Sequence, residues 1–170
     1  MLSVQSQIDE GIDRSPPIAI LLSAESFLKS AQYLKTGTEL EYLKLRFDMP
    51  IYYLYSHAME LALKSFLRTK DFDGKQLSSR KYGHQLSELW KECLKQGLKL
   101  HPVQEACTDQ LVELLDPFAT SYEFRYVITG YKQLPQLHVL DADASSLIAS
   151  IKRHVEAHRR QAEQSNGATP

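Results

Sequence analysis

The chain has 170 residues, 43% hydrophobic and 9% aromatic, with 20 basic and 21 acidic side chains and a formal net charge of -1, the profile of one globular domain. No window approaches the roughly 20 uninterrupted apolar residues of a spanning helix, and the opening MLSVQSQIDEGID lacks the basic start and apolar stretch of a secretory signal. A membrane protein is therefore excluded and a cytoplasmic location expected, while the balanced charge removes the general electrostatic case for nucleic acid and leaves only a local basic patch.

Helical periodicity runs from end to end, and no repeat of fixed period interrupts it. Ser15-Pro16-Pro17 supplies a cap and first-turn prolines, after which Leu21, Ala24, Leu28, Ala31 and Leu34 recur at three and four until Gly37. Asp48 and Pro50 open a second helix, expected to reach about Lys70 before the turn residues Asp71, Asp73 and Gly74. Gly83 precedes a third, with Leu86, Leu89, Trp90, Cys93 and Leu94 on one stripe. Pro102 starts a fourth, carrying Val103, Ala106, Cys107, Leu111, Leu114 and Leu115, which Pro117 is expected to end. The fifth begins near Asp143 and carries Leu147, Ile148, Ile151 and Val155. Before it lies the least regular segment, SYEFRYVITGYKQLPQLHVL, with aromatic residues at alternate positions; long irregular connections are often functional. The expected domain spans residues 15 to 161, with 1 to 14 and about 162 to 170 as flexible termini.

The second helix is the central one. Tyr52, Leu54, Ala58, Met59, Leu61, Ala62, Leu63 and Phe66 cover roughly 200 degrees of its circumference, against about 100 degrees for an ordinary surface helix, so it must be packed on several sides. What remains is a narrow stripe of Tyr53, His57, Glu60 and Lys64 at spacings of four, three and four. Glu60 precedes Lys64 in the favourable orientation for an i, i+4 ion pair. The stripe is either a solvated face or a polar strip facing a cleft.

Three short words then occur in order: Ser56-His57-Ala58-Met59-Glu60-Leu61-Ala62-Leu63-Lys64-Ser65-Phe66-Leu67, Lys81-Tyr82-Gly83-His84-Gln85-Leu86, and Tyr122-Glu123-Phe124-Arg125-Tyr126. Together they resemble the HEPN superfamily, nucleotide-binding helical domains of higher eukaryotes and prokaryotes, loosely over residues 20 to 160. The resemblance implies an all-α, up-and-down bundle of four to five helices with an irregular segment before the last, often a homodimer. It further implies a metal-independent ribonuclease, or a non-catalytic module binding RNA, a nucleotide or a protein partner such as a nucleotidyltransferase, in toxin-antitoxin, antivirus or RNA-processing systems. On this reading the ligand-binding residues are His57, Glu60, Lys64, His84, Arg125, Tyr126 and Tyr131, with no cofactor.

The chain departs from the catalytic pattern. Active members resemble one another in an arginine followed four to six residues later by histidine, whereas Arg125 is followed by no histidine until His138, and Tyr131 stands six residues on. Metal-free RNA cleavage needs a group to move the 2′-hydroxyl proton and a cation for the developing charge. Arginine serves only the second role, tyrosine is a poor base near neutrality, and His57 and His84 are left as candidates for the first beside Arg125. Each has a bland alternative: His84 as a hydrogen-bonding lock on its turn, Arg125 as a tether to Glu60. His154 and His158 are four apart but lack a third metal ligand, and Lys152, Arg153, Arg159 and Arg160 read as a solvated helix end or as phosphate contacts. No metal is expected. Cys93 and Cys107, too few for a disulfide framework and without C-x-x-C spacing, are expected to be reduced and structural. The preferred reading is a non-catalytic binding module, and the alternative is an endoribonuclease with a rearranged arginine and histidine pair.

Overall fold

A computed structural model describes residues 14–121 and 133–167. Among them are six helices and no strand: α1 (Pro17–Glu39), α2 (Met49–Arg68), α3 (Gly74–Ser78), α4 (Leu86–Lys95), α5 (Pro102–Thr120) and α6 (Leu137–Gly167). The helix beyond the four to five expected is the five-residue α3, lying where the sequence suggested only a turn. A capping box creates it: Gln76 N donates to Asp73 Oδ1 at 2.7 Å, and Asp73 N donates to Gln76 Oε1 at 2.8 Å.

Two boundaries also move. Pro117 does not end α5, which runs to Thr120. The proline forfeits a single ladder bond near the helix end, while Phe118 and Ala119 beyond it pack on the core. The last helix starts at Leu137 rather than Asp143, because Leu140, fully buried, extends the stripe of Ala144, Leu147, Ile151 and Val155 upstream by a turn. The expected irregular segment is thus shortened at its C-terminal side, and its residues 122–132 lie outside those described, as do residues 1–13. At the far end α6 continues past Gln161 to Gly167, supported by Arg159 Nε donating to Glu163 Oε1 at 2.7 Å.

The helices form a bundle around α2, which packs against α1, α4, α5 and α6; α6 also closes on α1 and α5, and α4 lies on α5. Ile51, Tyr55, Met59, Leu63, Phe66 and Leu67 of α2 are fully buried, whereas Leu54 and Leu61 are only partly so, which rotates the buried face slightly from the one the pattern suggested. Gly97 ends α4 with φ +87; Leu98 N then reaches Cys93 O at 2.9 Å and Gly97 N reaches Leu94 O at 3.0 Å, a Schellman closure that glycine permits without Cβ strain. The start of α4 is capped from α5, since Ser87 donates through N and Oγ to Asp116, both at 2.9 Å. Both cysteines are free. Burial pushes the Cys93 thiol up, and burial followed by Asp143 does the same to Cys107, so neither is an activated nucleophile.

Candidate functional site

The polar stripe of α2 meets the turn that leads into α4. This turn is tight: Ser79 O accepts from Tyr82 N at 3.1 Å and from Gly83 N at 2.7 Å. A Cβ on Gly83 would lie 3.0 Å from Ser79 O and 3.2 Å from Ser78 O, so any larger residue would have to push backbone carbonyls aside. The Gly83 carbonyl accepts from Lys64 Nζ at 2.8 Å, and the same ammonium donates to Glu60 Oε1 at 2.7 Å.

Two imidazoles flank that carboxylate. His57 Nδ1 lies 3.7 Å from Oε2 and His84 Nδ1 lies 3.7 Å from Oε1. These separations exceed hydrogen-bond length, so their attraction is electrostatic and is complete when the imidazole carries its proton. His57 is fixed by its neighbours: Phe27 of α1 meets it edge-on at 4.5 Å, and Tyr53 stacks parallel at 5.8 Å. Glu60 and Lys64 have only 12% and 13% of their side-chain surface exposed, against 44% for His84. The solvated-face reading of the stripe is therefore set aside; the pair is sheltered, and His84 is the most exposed member of the cluster.

Burial raises the Glu60 carboxyl, but His57, His84 and Lys64 together outweigh it and hold the group well below the usual carboxylate range. Lys64 is consequently neutralised by Glu60, and the cluster side chains left most exposed are the imidazoles of His57 and His84, at 22% and 44%. Four of the seven residues expected at the site converge here. Arg125, Tyr126 and Tyr131 lie outside the described residues. Phe27 is an addition that the pattern did not single out, and Gly83, expected only as the residue before a helix, supplies the carbonyl that holds Lys64. Phe27 falls just off the buried stripe of α1, a position periodicity alone does not distinguish from packing.

Other expectations resolve into structure. Lys152 pairs with Glu25 of α1 at 2.8 Å, Arg153 donates to Ser150 Oγ at 2.9 Å and Arg159 pairs with Glu163, so these cations are engaged within the fold. His154 meets Phe66 edge-on at 5.5 Å, and burial, then Lys70 and Arg153, push its pKa down. Among the described residues no group of three His, Cys, Asp or Glu is arranged to hold a metal ion, and no helix is long and apolar enough to cross a membrane. No family model, no curated protein and no solved structure matches the chain.

Proposed function

We propose that the chain is a non-catalytic, HEPN-like binding module, acting in the cytoplasm as a homodimer, whose polar groove takes RNA or a nucleotide. The groove comprises His57, Glu60, Lys64 and His84; the HEPN resemblance adds Arg125, Tyr126 and Tyr131, which lie outside the described residues. The observation that carries the reading is the meeting of two imidazoles and an ammonium on one sheltered carboxylate, from segments 20 and more residues apart, with the His84 side chain the most exposed of the four. When both imidazoles are protonated the cluster is net positive and presents donors to phosphate oxygens. A toxin-antitoxin, antivirus or RNA-processing role follows from the same resemblance, as does docking of a protein partner such as a nucleotidyltransferase.

Fluorescence anisotropy with a labelled oligoribonucleotide and with a labelled nucleotide tests this. Arg125→Ala and His84→Ala should each weaken binding by about 1.5–3 kcal/mol, the usual loss for a charge-assisted hydrogen bond, and Lys95→Ala at the surface should do little. Equal affinity in all three variants would reject the groove.

The exposed His84 ring, turned by Nδ1 toward Glu60, favours a second reading as a metal-independent endoribonuclease. In that case RNA is cleaved in EDTA, and cleavage is lost in both Arg125→Ala and His84→Ala.

A further inference from the structure

Four of the large apolar side chains that stand open to solvent come from a single stretch: Tyr33 and Leu40 at 67% exposure, Tyr42 at 58% and Phe47 at 61%. We propose that this surface, the outer face at the end of α1 together with the α1–α2 loop, docks a protein segment in which apolar side chains lie beside carboxylates. The proposal is independent of the Glu60 groove.

The surface is built rather than merely uncovered. The loop folds back on α1 over Gly37, where an added Cβ would meet Leu43 Cβ and Tyr42 Cε2, each at 3.0 Å. Leu43 N donates to Gly37 O at 3.0 Å, and Leu45 packs on the core. Glu41 holds φ +60 to make the turn, a conformation that costs a non-glycine residue energy and persists only where the surroundings enforce it. The outcome of that constraint is a Tyr42 ring held 6.4 Å from the Tyr33 ring. Beyond it, Tyr42, Lys44 and Arg46 are exposed while Leu43 and Leu45 are half-buried, so a ring and two cations line one side of the loop. Lys29 lies four residues before Tyr33, on the same face of α1.

Charge identifies the partner. Among the described residues Lys29, Lys44 and Arg46 form no ion pair, whereas the nearby Glu39 is held by Lys35 at 3.2 Å. Three open cations around aromatic and leucine side chains fit carboxylates flanking apolar anchors. Glu41 and Asp48, exposed in the same loop, offset two of the three cations, which suits carboxylates set between apolar side chains better than the unbroken phosphates of a nucleic acid. Exposed tyrosine and arginine accompanied by both signs of charge is a composition favoured at protein interfaces.

The test uses the full chain and a labelled synthetic 12-residue peptide alternating leucine with glutamate. Controls are the same peptide with lysine for glutamate and a 12-nucleotide oligouridylate. The glutamate peptide should bind saturably and shift backbone amide resonances of residues 29–47. Arg46→Glu and Lys44→Glu should each weaken it at least tenfold, Tyr42→Ala likewise, while Arg160→Glu on α6 should leave it unchanged. Equal binding of the lysine peptide, preferential binding of oligouridylate through the same residues, shifts confined elsewhere, or no binding of the glutamate peptide would each overturn the proposal.

Discussion

Glu60 is ionised where burial alone would favour the neutral acid, and that places a sign on its pH dependence. Its value in the folded chain lies below the ordinary 4.5, so its contribution to stability is complete above that pH and is lost as pH falls through the folded value. Glu60→Gln should cost about 1.5–3 kcal/mol at neutral pH and flatten the acid limb of the stability curve. Urea melts of both proteins between about pH 6 and pH 3 check this, and an acid limb equally steep in the variant would show that the cluster is not its source. Asp143 behaves oppositely. Burial pushes its carboxyl above 3.8, and Thr108 Oγ1, 3.0 and 2.9 Å from its two oxygens, offsets this only in part. The stability it contributes is present below 3.8 and lost as pH rises through the folded value, so Asp143→Asn should stabilise the protein at neutral pH by about 1 kcal/mol. That gain should vanish in acid, and thermal melts at the two pH extremes distinguish the cases.

At the scale of single helices, α2 separates two leucines that the sequence treats alike. Leu63 is fully buried and Leu61 only partly. Leu63→Asp should therefore abolish the cooperative melt, with a loss on the order of 4 kcal/mol or more, and Leu61→Asp should retain it. Equal losses would mean the buried face is misplaced. Gly83→Ala should cost about 1–3 kcal/mol, because the atoms a Cβ meets are backbone carbonyls that cannot swing aside, and it should displace the carbonyl that holds Lys64. The all-helical fold and the central position of α2 were legible because period 3.6 burial writes itself into every core helix. What escaped was local chemistry that overrides a rule of thumb. The Asp73-to-Gln76 box was present in the sequence but hidden behind Gly74, and Pro117 was read as a stop although apolar residues beyond it hold the helix together. At the site, the α2 stripe was legible as spacing, whereas its shelter was not: Glu60, 12% exposed, meets His84 of the 79–85 turn, and its neighbour His57 is held by Phe27, both remote in sequence.

Taken whole, the bundle is closed by bonds between its first and last helices. Gln32 Nε2 donates to Asp141 Oδ1 at 2.8 Å, and Lys152 pairs with Glu25, across 109 and 127 positions respectively. α6 covers faces of both α1 and α2, so a chain truncated after residue 133 should show helical circular dichroism without a cooperative transition; a sharp melt would show that α1 to α5 fold alone. The same clasp has a consequence for synthesis. A ribosome adding about 5–20 residues per second finishes α2 several seconds before Ile151 and Val155 emerge to cover it. During that interval Phe66, which meets His154 in the finished fold, and the rest of the α1 and α2 surface that α6 covers lack their last wall, and the interval is when a chaperone would find that apolar surface to hold.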